Sequence, residues 1–191
     1  MKSVMISIQP KWCELIASGE KTVEVRKSKP NIATPFKCYI YQTKGKWMFN
    51  ILRKIGLLDM ANKLLSSKGK VIGEFVCNNI DWHGLSNLIV KEDAEHALNG
   101  TCLTKEEVLN YLGYQKGTNI YACKNFDFYG WRISELVIYD RAKEINEFYR
   151  KKQKNGYTTE WNIEGIVHYP KKEIVFEEIK TPPQSWCYVE R

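Results

Sequence analysis

The chemistry of this chain concentrates in the stretch Gly19-Glu20-Lys21-Thr22-Val23-Glu24-Val25-Arg26. An ammonium, a hydroxyl, a carboxylate and a guanidinium displayed side by side can hold an anionic ligand through charge-assisted hydrogen bonds. They can also orient a proton transfer, with Lys21 and Glu24 as the catalytic pair. The third possibility is an exposed strand face solvated by its ion pairs. On chemistry alone that last reading is favoured, because surface ion pairs are common and contribute little.

Two local elements would position these groups. Pro10 supplies the backbone angle favoured at a first helical position, Trp12, Leu15 and Ile16 recur at helical spacing, and Gly19 is placed to end the helix, so residues 10 to 18 are expected to be helical. Thr22 to Lys27 then alternates as a strand, with Val23 and Val25 facing the core and Thr22, Glu24 and Arg26 the other side. Lys21 falls at the turn. Val4 to Ile8 and Lys37 to Tyr41 read as further strands, and Ser28 to Pro35 as a loop.

At 191 residues the chain suits a single domain over residues 1–191, with residues 44–70 as a helical insertion. Its 43% apolar and 27% charged composition is ordinary for a soluble protein, no apolar run is long enough to span a bilayer, and the N-terminus alternates rather than forming a signal-peptide block. A cytoplasmic protein with no membrane contact is expected. The six cysteines are scattered, without a Cys-x-x-Cys pair or histidine at zinc spacing, which argues for small buried apolar residues and against a metal site. No cofactor motif is present. His83, His96 and His168 lie far apart and do not assemble a catalytic pattern.

The formal net charge of +7 favours polyanionic partners, and much of the excess is local. Lys44, Lys46, Arg53, Lys54, Lys63, Lys68 and Lys70 face one acid, Asp59. Within that segment Trp47 to Leu65 has helical apolar spacing, compatible with a packed helical insertion, a nucleic-acid-facing arm or a membrane-surface helix, in that order of preference.

Further on, Lys70 to Cys77 reads as a strand in which Gly73 marks a bulge, and Glu92 to Leu98 as a helix. Thr104 to Leu112 opens with a capping box between Thr104 and Glu107. This region is acidic, so a polyanion is expected to approach from another side. Asn119 to Lys124 is expected as a strand, Phe126 to Tyr139 as strand, and Lys143 to Lys152 as a basic helix. Tyr129 and Trp131 share a face if extended; they either stack bases or pack in the core, and core packing is at least as favoured. Glu173 to Ile179 and Ser185 to Val189 close the chain as extended segments, giving six to eight strands with few short helices.

Three separated stretches together resemble a known family. Gly19-x-Lys21-x-x-Glu24-x-Arg26 after a strand and a Pro-Lys-Trp helix is similar to the ASCH domain, a branch of the PUA-like superfamily. Tyr129-Gly130-Trp131 running into Ile138-Tyr139-Asp140, and Pro183-Gln184-Ser185-Trp186-Cys187-Tyr188-Val189, resemble members found in bacteria and their phages. The resemblance implies an α+β, mainly β fold: a small β-barrel closed by short helices, with the basic helical insertion lying outside the match. It also implies a cleft beside the Lys21 loop that receives RNA or a nucleotide. One small bacterial type hydrolyses acetylated cytidine with a lysine, a threonine and a glutamate. Its lysine matches Lys21, its threonine falls at Glu24, and its glutamate lies near Glu95 without clear register, so that activity is not carried over.

Two functions follow from these residues. As a binding module for RNA or single-stranded nucleic acid, the chain would use Lys21 and Arg26 on phosphate or a base edge, Glu24 to orient them or to read a base amino group, and Trp131 or Tyr129 to stack, with Thr22 and Trp186 as further binding residues. As an enzyme on modified nucleosides or RNA, amidohydrolase-like or ribonuclease, it would use Lys21 and Glu24. A lysine base needs its pKa lowered by burial, against which Glu24 and solvent are expected to act. A protein-interaction domain docking through its basic insertion is the plainer third possibility.

Overall fold

In the computed structural model, residues 3–44, 67–84, 88, 91–114, 127–162 and 165–190 are described. The expected helical insertion over 44–70 lies mostly outside them, as does the expected strand Asn119 to Lys124. The described elements run β1 (Ser3–Ile8), α1 (Pro10–Ala17), β2 (Val23–Arg26), β3 (Phe36–Gln42), β4 (Val71–His83), α2 (Lys91–Leu98), α3 (Lys105–Leu112), β5 (Phe128–Lys143), β6 (Tyr149–Asn162), β7 (Gly165–Glu178) and β8 (Trp186–Val189). The chain is mainly β, with few and short helices.

Six strands form one mixed sheet in the order β2-β5-β4-β3-β1-β8, with β1 and β3 parallel in its interior. Those two strands are buried on both faces, which is why their sequences are nearly unbroken apolar runs rather than alternations. Val4, Ile6, Phe36, Cys38, Ile40, Phe75 and Trp131 point to the side covered by α1, where Cys13 and Ile16 meet them. Met5, Tyr39 and Tyr41 point the other way, onto Phe148, Ile179 and Val189. A third cluster joins Val25 and Phe128 to α2 and α3 through Ala97, Val108 and Leu112.

The barrel implied by the resemblance is not closed by hydrogen bonds: β2 and β8 are the two edges of an open sheet. The sheet curls enough that a side chain spans the gap. Arg26, on β2, donates from one Nη to the Ser7 carbonyl at the end of β1 (2.6 Å) and from the other to Ser185 Oγ just before β8 (3.4 Å). The curl is assisted by interrupted ladders. Gly73 is where β4 slips register against β5, and a Cβ there would lie 2.4 Å from the Val137 carbonyl oxygen.

Local signals behave as their chemistry requires. Thr104 accepts from the Glu107 N–H while the Glu107 carboxylate accepts from the Thr104 N–H, and Gly113 at φ +85° ends α3. The expected helix over Lys143 to Lys152 is absent. β5 runs to Lys143, a single 3₁₀ turn covers Ile145–Glu147, and the chain re-enters a strand at Tyr149. Of its basic residues Lys143 ends β5, while Arg150, Lys151 and Lys152 belong to a second, two-stranded sheet of β6 and β7, paired over their full length and joined to the main sheet through the Tyr149–Glu190 bridge.

Candidate functional site

β2 is an edge strand of four residues, yet every one of its side chains is buried. Val25 faces α2 and α3, as the alternation requires, and Glu24 and Arg26 face the other side. That side is not solvent. Lys21, Glu24 and Arg26 are 2%, 6% and 7% exposed, so the solvated, ion-paired strand face favoured on chemistry alone is overturned. The sequence shows which residues share a face; it does not show that α1 and the curl of the sheet cover the second one.

The charges satisfy one another in a row. Glu24 Oε1 lies 3.0 Å from an Arg26 Nη and its Oε2 lies 3.5 Å from Lys21 Nζ. Lys21 also donates to the Val23 carbonyl (2.8 Å) and the Thr101 carbonyl (2.6 Å). Arg26 retains a buried Nε–H that has no partner among the described residues. Burial lowers the Lys21 pKa below the ordinary lysine value, and the adjacent Glu24 carboxylate opposes that fall. Solvent, expected to keep the ammonium charged, is largely excluded.

The loop after α2 holds this arrangement in register. The N–H groups of Thr22 and Val23 both donate to the Gly100 carbonyl (2.8 and 2.9 Å), and the Lys21 N–H donates to Leu15 at the end of α1 (2.8 Å). Gly100 sits at φ +74°, and a Cβ there would fall 2.3 Å from Thr22 Oγ1. Only glycine combines that backbone with that approach.

Above the charged row lies a cavity of about 690 Å³. Lys21, Glu24 and Arg26 line it together with Trp12 of α1 and Tyr111 of α3, and amides reach it from Gln9, Asn110 and Gln184. At its margin Lys11 Nζ sits 3.3 Å from Glu107 Oε1, tying α1 to α3, and 4.1 Å over the Trp12 ring. Lys27 Nζ lies 5.0 Å over Tyr111. Burial raises the Tyr111 pKa above the ordinary tyrosine value, so its hydroxyl is a donor at neutral pH.

The acidic helix, expected to face away from any polyanion, contributes Glu107 to this cavity. That carboxylate is held below the usual range first by the Thr104 N–H and then by Lys11, so its charge is spent locally.

The other residues singled out in the sequence are distributed differently. Trp131 pairs with Glu24 across β5 and β2 but is fully buried, edge-on to Phe36 at 5.7 Å. Its ring offers no face to a base. Trp186 is half-buried, 6.0 Å from Trp131, and donates from Nε1 to Ser28 Oγ; Tyr129 pairs with Arg26 along the ladder. Neither lines the cavity, and neither does exposed Thr22, whose carbonyl accepts from the Ile133 N–H. Glu95 is exposed on α2. The aromatic walls are Trp12 and Tyr111, which sequence reasoning assigned to helices only. Trp12 shares the first turn of α1 with Lys11, and no signal in the sequence marked Tyr111.

Among the described residues no group of three or more histidine, cysteine, aspartate or glutamate side chains could hold a metal ion. No described helix is long and apolar enough to cross a membrane. Five cysteines are described: Cys13, Cys38 and Cys77 are buried, Cys187 is half-buried and Cys102 is exposed.

Fold and site together define a mainly β domain with a ligand-sized cavity over a buried cation–carboxylate–cation row. A model of the ASCH domain matches residues 6–189, and the chain belongs to that family, which is generally thought to bind RNA. It is also similar in structure to crystal structures of ASCH from Zymomonas mobilis. For the unsubstituted protein the identity is 16%, the likeness covers 100% of this chain and 89% of that one, and the TM-score is 0.48. For a serine-to-alanine variant of the same protein the identity and coverages are the same and the TM-score is 0.50. At that identity the likeness concerns the fold. No curated protein matches the chain in sequence.

Proposed function

We propose that this ASCH domain binds single-stranded RNA, taking one nucleotide into the cavity above Lys21, Glu24 and Arg26. The observation that carries the reading is the charge at the cavity floor: two cations share one carboxylate in a place shielded from water. The surplus positive charge acts through a low dielectric and draws an anion. The lining supplies the rest of a nucleotide's requirements. Trp12 and Tyr111 offer ring faces for a base, the Gln9, Asn110 and Gln184 amides offer donors and acceptors for its edge, and the volume suits a small ligand.

In this reading Glu24 fixes the two cations rather than meeting the ligand's phosphate, and Thr22 holds the turn through its backbone. Trp131 and Trp186 buttress the wall from behind, and Tyr129 supports Arg26 along the strand. The basic segment 44–70, mostly outside the described residues, adds charge that favours a polyanion.

The test is equilibrium binding of labelled single-stranded RNA across a salt series. Affinity falls steeply as salt rises, and Tyr111→Ala weakens binding by about tenfold, within the range for loss of one base–aromatic stack. Absence of binding at low salt overturns the reading.

The burial-lowered Lys21 favours a second reading, an enzyme acting on modified nucleosides or RNA, because a catalytic lysine needs its pKa brought toward neutrality. Lys21 would then take the proton and Glu24 would shuttle it. Release of product from acetylated cytidine or labelled RNA, abolished in Lys21→Met, supports it; no turnover with either substrate excludes it.

A further inference from the structure

The second sheet inverts the usual placement of side chains. β6 and β7 pair over fourteen residues each, so the ribbon is about 45 Å long at ordinary strand rise. Its root is fixed by the Tyr149–Glu190 bridge and by the burial of Phe148 and Ile179. An isolated two-stranded ribbon gains little from its own contacts, and what it displays must be explained by something else.

The register sorts the ribbon into two unlike faces. On one lie Lys152 and Lys154, both paired to Glu177, together with Arg150, Lys171, Glu173 and a single exposed ring, Tyr169. On the other, successive rungs from root to tip carry Lys151 opposite Phe176, Gln153 opposite Ile174, Asn155 opposite Lys172, then Tyr157, then Thr159 opposite His168, with Ile166 near the turn. Phe176, Ile174, Tyr157 and Ile166 are 59%, 55%, 72% and 51% exposed. Large apolar and aromatic groups are thus held in a row with nothing over them among the described residues.

The charge on that face identifies its occupant. Past Glu178 at the root it carries Lys151 and Lys172 and no carboxylate, and among the described residues neither lysine is ion-paired. Two copies laid face to face would bring like charges together in a low dielectric, which is unfavourable. A polyanion meets no such cost. Phe176 shares its rung with Lys151, and Tyr157 stands three rungs on, about 20 Å away at about 7 Å per rung and next to the Lys172 rung; two rings, each with a lysine at hand, suit unstacked bases separated by phosphates. A duplex fits less well, because its bases are stacked inward and an A-form major groove is too narrow to admit side chains.

We propose that the Lys151–Phe176 face of the β6–β7 ribbon is a second binding surface for single-stranded nucleic acid, with Tyr157 and Phe176 stacking bases and Lys151 and Lys172 meeting phosphates. This rests on the reading of the protein as a nucleic-acid binder and adds a platform that engages strands too long for the cavity alone.

The test uses fluorescence anisotropy of the full chain with single-stranded RNAs of about 6 nucleotides, near the low end of usual site sizes, and about 24, beyond their upper end. The ribbon variant Tyr157→Ser/Phe176→Ser changes exposed side chains only, and Lys151→Glu/Lys172→Glu is a second variant that keeps the apolar row. Both lose at least tenfold in affinity for the long strand and leave the short strand's affinity unchanged, with melting temperature as the folding control. Unchanged long-strand affinity in both variants overturns the ribbon proposal while the cavity reading stands. Failure of the wild-type chain to bind either RNA overturns both. A wild-type dimer that the serine variant converts to monomer, with RNA affinity unchanged, assigns the face to a second copy and also overturns the proposal.

Discussion

The two sheets violate the inside–outside rule in opposite directions. β2 buries Lys21, Glu24 and Arg26, while the β6–β7 ribbon exposes Phe176, Ile174 and Tyr157. The cost in the first case is offset locally: every charge has an opposite charge or a carbonyl within hydrogen-bonding reach. In the second case no second layer among the described residues offsets anything. A buried charged row organises a site from within, whereas an exposed apolar row is organised for something outside.

Removing one member of the buried row breaks this contrast most severely. Glu24→Ala leaves two buried cations facing each other and destabilises the fold by about 3–5 kcal/mol, the range for stripping one partner from a buried pair. Urea denaturation measures it. Adding Lys21→Met recovers part of the loss because one uncompensated charge goes with it, and strict additivity of the two changes would show that the row is not coupled.

The next effect concerns the thiols, which the main sheet buries and the ribbon lacks. Burial pushes the Cys77 pKa up to about 12. A folded pKa above the unfolded one means stability that is fully present below about pH 9 and lost as pH rises toward 12. By pH 11 the cost is about 2–3 kcal/mol for that thiol. Cys77→Ala therefore makes the alkaline limb of the stability profile shallower, with the raised Cys13 and Cys38 thiols keeping the rest of it, and an unchanged limb would contradict the assignment. Exposed Cys102 reacts with thiol reagents in the folded protein while Cys13, Cys38 and Cys77 do not.

Gly100→Ala comes third. Its left-handed backbone and the 2.3 Å approach to Thr22 Oγ1 predict a loss of about 1–3 kcal/mol and a displaced Lys21 turn. The smallest effect belongs to the ribbon: Ile174→Ser, on an exposed rung, changes stability by about 0.5 kcal/mol or less. A large loss there would mean that the ribbon face is covered after all.

What could be seen in the sequence follows the same division. The helix at Pro10, the strands around Val4, Lys37 and Val71, the Thr104 capping box and the bulge at Gly73 were legible because each is fixed by local chemistry or by burial on a periodic face. The strand β6 was not. Arg150-Lys151-Lys152-Gln153-Lys154 has no apolar alternation, no layer among the described residues covers it, and its pairing with Glu173 to Glu177 is a long-range match. The interior of β2 is hidden for the complementary reason: on their own Glu24 and Arg26 have the sequence of a solvated strand, and only the curl of the sheet and the approach of α1 bury them. Closure is likewise a property of the whole sheet, and here a guanidinium bridges the gap that hydrogen-bonded strands would have filled. Tyr111 was invisible because its helix is placed against the cavity by tertiary packing.

The function proposed for the cavity puts a nucleotide of single-stranded RNA between α1 and α3, above the buried charges. Ultraviolet crosslinking of RNA to the full chain, with the modified peptides mapped by mass spectrometry, tests it most directly. Adducts are expected at Trp12 and Tyr111, and they disappear as salt is raised. Crosslinks that spare both residues, or none at low salt, would contradict it.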